Sequence, residues 1–128
     1  MGKKIGSSLK GGEVLAMSGN LGAGKTTFIK GLAYGLKIKS KIVSPTFILL
    51  RTYSKGIRQL TLCHLDLYRL EGNIKKEVEN LGLFDIWQDS ENIVAIEWAE
   101  KIKDILPKNT TWIKFKNIDE NKRKISII

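Results

Sequence analysis

Eight consecutive residues, Gly19-Asn20-Leu21-Gly22-Ala23-Gly24-Lys25-Thr26, follow the pattern G-x-x-x-x-G-K-[ST]. In such a loop the glycines let the backbone turn tightly and point several N–H groups into one concavity, and the helix that follows adds its positive end. The chemistry is recognition of a polyphosphate: Lys25 reaches the β- and γ-phosphates and the Thr26 hydroxyl sits on Mg²⁺. No N-K-x-D run that reads guanine is present, so ATP is the nucleotide expected.

Phosphoryl transfer also needs a carboxylate near the metal and a group that orients the nucleophile. Two acids stand at the ends of apolar runs: Asp66 closes Leu60-Thr61-Leu62-Cys63-His64-Leu65, and Glu97 closes Ile93-Val94-Ala95-Ile96. Spacing alone does not rank them. His64, Asp66 and Tyr68 alternate and so share a strand face. A His and an Asp there can form a metal pair, an acid–base pair or a plain hydrogen bond, and a lone His is more often structural. Ser44-Pro45-Thr46-Phe47 lies after the first helix, where a hydroxyl can sense the γ-phosphate, or where a proline merely opens a strand. Trp98 follows Glu97; Trp87 and Trp112 read as core residues.

These residues need a strand before the loop and a helix after it, and the pattern supplies both. Val14–Ser18 is a short apolar run ending at Gly19, and Lys25–Leu36 carries a helical stripe of Phe28, Ile29, Leu32, Ala33 and Leu36. Further strands are expected over 47–53, 59–67, 92–97, 111–118 and 123–128, the first two as a hairpin about Lys55-Gly56. Helices are expected over 74–81 and 99–106, the latter stopped by Pro107. Strands alternating with helices give an α/β fold, P-loop NTPase-like, with a largely parallel sheet, antiparallel additions and helices on both faces.

The chain has 128 residues, which fits a single domain spanning 1–128. Its longest charge-free stretch, residues 14–24, is half the roughly 20 residues a spanning helix needs, so no membrane partner is expected. The single cysteine, Cys63, excludes an intrachain disulfide, and no secretory signal is visible; the expected location is cytoplasmic. The net charge of +9 suits a polyanionic partner or plain solubility. That charge is uneven: residues 1–76 carry 14 basic and 3 acidic groups, residues 77–100 seven acids and no Lys or Arg, and residues 101–128 eight basic and 3 acidic groups.

Taken together, Met17-Ser18-Gly19 running into Gly22-Ala23-Gly24-Lys25-Thr26-Thr27-Phe28, then Ser44-Pro45-Thr46-Phe47, His64-Leu65-Asp66-Leu67-Tyr68-Arg69 and Glu97-Trp98-Ala99-Glu100 resemble, in order and spacing, the bacterial TsaE (YjeE) family. The resemblance covers the chain from about Gly12 onward. It implies a small P-loop ATPase required for the threonylcarbamoyl modification of adenosine 37 in tRNA, working with TsaD and TsaB and resetting their complex between turnovers, with tRNA met through that complex. It implies that Gly22, Ala23, Gly24, Lys25, Thr26 and Thr27 hold the triphosphate, that Thr26 and Glu97 bind Mg²⁺, and that Asp66 lies close by as an outer ligand or water-orienting acid. Lys25, Asp66 and Glu97 are then the catalytic set, Ser44 and Thr46 belong to a switch-like segment, and Trp98 adjoins the site.

The chain departs from the family pattern twice. Met1–Leu9 is expected to be the end of a helix whose start, with a preceding strand, is missing. Asp85-Ile86 replaces a frequent Glu-Tyr. No arginine finger is evident beyond Arg69, so turnover without partners is expected to be slow. A small-molecule or nucleoside kinase, and a nucleotide-gated binding module with incidental hydrolysis, are the alternatives.

Overall fold

The computed structural model describes residues 2–19, 24–38, 50–53, 59–68, 70–117 and 123–127. Six strands form one sheet: β1 Val14–Gly19, β2 Leu50–Tyr53, β3 Thr61–Asp66, β4 Asn92–Glu97, β5 Thr111–Asn117 and β6 Arg123–Ile127. Their spatial order is β2-β3-β4-β1-β5-β6. The inner four are mutually parallel, and β2 and β6 pair antiparallel at the two edges. A parallel interior requires both faces to be covered, which is why β1 and β4 read as continuous apolar runs rather than as alternating ones.

Alternation within each strand divides the core into two layers. Leu15, Met17, Leu62, Ile93, Ala95, Ile113 and Phe115 face the helices α1 Gly2–Ser8 and α2 Lys25–Gly35, meeting Phe28, Ile29, Leu32 and Leu36. Val14, Ala16, Cys63, Leu65, Val94 and Ile96 face the other way, toward α3 Ile74–Asn80, α4 Leu83–Gln88 and a run of 3₁₀ turns over Ala99–Ile105. Among the described residues no helix is long and apolar enough to cross a membrane.

Helix α1 lies on α2 through glycines on both sides. A Cβ added at Gly6 would stand 2.5 Å from the Leu32 carbonyl oxygen and 3.2 Å from Gly35 Cα, and one added at Gly35 would meet the Lys3 carbonyl and, at 2.7 Å, the Ser7 nitrogen. Only residues without a side chain let the two backbones approach this closely. The stretch expected to be a helix end is thus a helix, docked tightly.

The structure adds to the sequence reading in two elements. Residues 99–106, expected as a helix, take the 3₁₀ form over Ala99–Ile105. Trp98 enters them in the left-handed region (φ 59°, ψ 38°), and Ile102 (φ −127°, ψ 28°) breaks the regular ladder. Helix α4 was not anticipated; it starts where Gly82 turns left-handed (φ 72°) and buries Leu83 and Trp87. Within it Asp85 is exposed, and Ile86 packs against the core. The strand expected over 47–53 is described only for Leu50–Tyr53.

Candidate nucleotide site at the carboxyl ends of the parallel strands

β1 ends at Gly19 and α2 begins after Gly24, so the phosphate-binding pattern occupies the strand-to-helix connection that its chemistry requires. Both described ends of the loop demand glycine. Gly19 has φ 134°, and a Cβ there would collide with the Phe115 carbonyl of the neighbouring strand. Gly24, the N-cap of α2, is left-handed (φ 93°, ψ 12°). It makes no side-chain cap, so no side chain occupies the helix's first-turn N–H groups from that position. Phe28 N–H already bonds to the Gly24 carbonyl at 2.9 Å, which closes the first turn. Lys25 and Thr26 form the start of that turn, and Thr27 is exposed on it. Gly22, Ala23, Ser44 and Thr46 lie outside the described residues, as does Arg69.

The two acids meet here. The parallel register aligns Asp66 with Glu97, and Glu97 with Met17 of β1. The three form one row across adjacent strands, two residues before the loop begins, spanning roughly 10 Å at the usual strand spacing. Parity puts His64, Asp66 and Glu97 on the α2 face, since Leu62, Ile93 and Ala95 pack there. Both acids are almost entirely buried, Asp66 at 8% exposure and Glu97 at 5%. Charged groups at such depth require partners. Asp66 Oδ1 accepts the Tyr68 N–H at 2.9 Å. Glu97 Oε2 lies 2.6 Å from His64 Nε2, and the His64 ring is fully buried.

That bond answers a point the sequence leaves open. His64 shares a face with Asp66, but its partner is Glu97 on the next strand; which strand lies beside β3 cannot be read from spacing within one segment. Toward an ionised Glu97, which only accepts, Nε2 is the donor. Nδ1 is buried with no partner among the described residues. Tyr68 does not continue the strand face: β3 stops at Asp66, and the Tyr68 ring turns out to rest on Trp98, centroids 5.2 Å apart. Trp98 therefore stands beside Glu97 in a left-handed conformation uncommon for a bulky residue. Trp87 is buried and Trp112 half-buried, as expected of core residues.

A further residue, Lys101, enters the site's surroundings without having been anticipated. Its Nζ donates to the carbonyls of Leu67, Tyr68 and Leu70 at 3.0, 2.8 and 3.0 Å, gripping the turn that follows Asp66. Nothing in its local sequence distinguishes it from a solvent-facing lysine.

On the opposite sheet face, a cleft of about 430 Å³ is lined by Ser18, Glu100, Lys103, Trp112 and Lys114. A second cleft of about 370 Å³, sharing Ser18, runs past the end of β1 over Gly19, Lys114, Phe115, Lys116, Lys124 and Ser126.

The family model described as threonylcarbamoyl adenosine biosynthesis protein TsaE matches residues 1–125. Curated relatives carrying the name tRNA threonylcarbamoyladenosine biosynthesis protein TsaE include one from Nostoc sp., 47% identical over 80% of this chain and 62% of its own length. Another, from Bacillus subtilis, is 41% identical over 91% and 70%, and one from Treponema pallidum is 38% identical over 98% and 89%. The chain thus spans a little under two thirds of the Nostoc protein and more of the other two. Among solved structures, the crystal structure of Bacillus subtilis YdiB superposes with a TM-score of 0.77 at 33% identity, covering 98% of this chain and 74% of that one. With the parallel sheet, the glycine-bounded loop and the paired strand-end acids, these matches establish that the chain belongs to the TsaE family.

Proposed function

We propose that the chain binds and hydrolyses ATP as an accessory subunit of the machinery that places threonylcarbamoyl on adenosine 37 of tRNA, acting in the cytoplasm on a TsaB–TsaD complex. The observation that carries the ATPase part is the row Asp66–Glu97–Met17, which sets two buried carboxylates beside the strand feeding the phosphate loop. Carboxylates with some freedom to reach a hard cation suit Mg²⁺, and an uncapped helix N-terminus suits a phosphate. The residues present therefore fit both groups.

In this reading Gly22 to Thr27 hold the triphosphate, Thr26 and Glu97 hold Mg²⁺, and Asp66 orients the attacking water. Bound Mg²⁺ would neutralise charge on the phosphate oxygens. His64 fixes one Glu97 oxygen and thereby the carboxylate's direction. Burial of the acids keeps their charge poorly screened, so their pull on a cation is stronger than that of surface acids. Ser44 and Thr46 form a segment that responds to the γ-phosphate, and Trp98 shields the Glu97 side from solvent.

Phosphate release from Mg-ATP, measured alone and with TsaB, TsaD and tRNA, tests this reading, with Lys25→Ala as control. Slow release that rises with the partners and vanishes in the Lys25→Ala protein is expected. Fast release that ignores the partners, or transfer of the phosphate to a nucleoside instead of water, would overturn it.

A further inference from the structure

We propose that Lys101 is a positioning residue, whose ammonium fixes the turn after β3 and so holds the Asp66 carboxylate in place beside Glu97. The inference rests on the reading of these two acids as the metal-side pair.

Three observations converge. A lysine ammonium has three N–H donors, and all three of Lys101 are directed at the carbonyl oxygens of Leu67, Tyr68 and Leu70. Carbonyls of one short turn converge on a single point only if the backbone curls around it, and here the curl is closed by Leu70 N–H bonding to the Leu67 carbonyl at 3.1 Å. Next, this turn holds Asp66: the Tyr68 N–H that accompanies one gripped carbonyl donates to Asp66 Oδ1 at 2.9 Å. Finally, the other end of the tether is anchored beside the second acid. Lys101 N–H bonds to the Trp98 carbonyl at 3.2 Å, and Leu67 N–H bonds to the Glu97 carbonyl at 3.1 Å. The segment bearing Glu97 thus grips the segment bearing Asp66 across the ends of β3 and β4.

The alternative holder of the turn is the Tyr68–Trp98 ring contact. Tyr68 is 42% exposed, so that contact excludes little water. Hydrogen bonds from a charged donor are about twice as strong as neutral ones, and Lys101 makes three of them to a turn that is partly shielded from solvent. It therefore carries most of the hold.

Lys101→Met keeps the apolar stem and removes every donor; Lys101→Arg keeps charge and donors and serves as the conservative variant. Hydrogen exchange is read at the amides of Leu67, Tyr68 and Leu70, with β1 and β5 amides as internal reference. In the Met variant those three amides are expected to exchange about tenfold faster or more, with the reference amides unchanged. The kcat for ATP is expected to fall about tenfold, KM to stay within about twofold, and the Mg²⁺ concentration needed for binding of a fluorescent ATP analogue to rise severalfold, since the acid pair serves the metal and not the nucleotide body. Lys101→Arg should recover most of each change.

Unchanged exchange at the three amides would overturn the proposal. So would faster exchange with kcat and the Mg²⁺ requirement untouched, or faster exchange throughout the sheet that the Arg variant does not restore. If the unaltered protein binds Mg-ATP yet releases no phosphate, the hydrolysis reading fails, and the exchange and Mg²⁺ measurements still decide the role of Lys101.

Discussion

The bond between His64 and Glu97 gives a prediction whose size follows from the structure. The His64 ring is fully buried and the Glu97 side chain is 7% exposed, with 2.6 Å between Nε2 and Oε2. Replacing the ring by leucine, a side chain of similar bulk, removes the donor and leaves a carboxylate in a nearly dry site. A hydrogen bond to a charged group is worth about 1.5–3 kcal/mol, and breaking a buried pair by removing one partner costs about 3–5 kcal/mol. His64→Leu should therefore lower unfolding stability by about 3 kcal/mol, a large part of the 5–15 kcal/mol typical of domains. At a urea dependence of about 1–3 kcal/mol per molar, the midpoint falls by about 1–3 M. The double variant His64→Leu with Glu97→Leu removes the stranded charge as well, so it should be more stable than the sum of the two single losses predicts. Urea unfolding of the four proteins gives the coupling energy directly, and about 2 kcal/mol is expected for contacting residues. A coupling below about 0.5 kcal/mol would refute the argument that His64 is what makes Glu97 tolerable at that depth.

The glycine contact between α1 and α2 makes a prediction of unusual sign. Alanine is the better helix former by about 1 kcal/mol, yet Gly6→Ala and Gly35→Ala should each destabilise by about 1–3 kcal/mol, because the new Cβ meets backbone that cannot move alone. Thermal melting that shows either variant more stable would disprove the close approach. Cys63 is buried, and desolvation first, with the nearby Asp89 charge second, raises its thiol to about 11 from 9.0. The folded state thus keeps the proton longer than the unfolded one, so this contribution to stability is complete below about pH 9 and lost as pH climbs toward 11. Wild type should lose more stability over that window than Cys63→Ala, and a thiol reagent at neutral pH should label Cys63 only in urea; rapid labelling of the folded protein would contradict the burial.

How much of this was legible in the chain depends on where each piece of information lies. β4 was readable to the residue, because an apolar run bounded by Asn92 and Glu97 matches a strand buried on both faces. The loop between β1 and α2 was readable because its chemistry demands contiguous residues: glycines at the turning points and a lysine at the helix start. The central parallel sheet followed from the alternation of element types. What the sequence withheld is the order of neighbours. Nothing within Leu62-Cys63-His64-Leu65-Asp66 says that β4 lies alongside in the register that sets His64 against Glu97, so the partner of the histidine stays open in the sequence. Helix α4 is only six residues long, too short for a periodic stripe to emerge. The Ala99–Ile105 segment carries helix-forming residues but becomes 3₁₀, since Trp98 enters it left-handed and Lys101 is committed to another segment. The His64 bond and the Ala99–Ile105 segment both involve partners more than 30 positions away, and both sit beside the acids. In a site assembled from the ends of three strands, motif residues name the chemistry, while the neighbours that aim them become visible only once the strands are placed side by side.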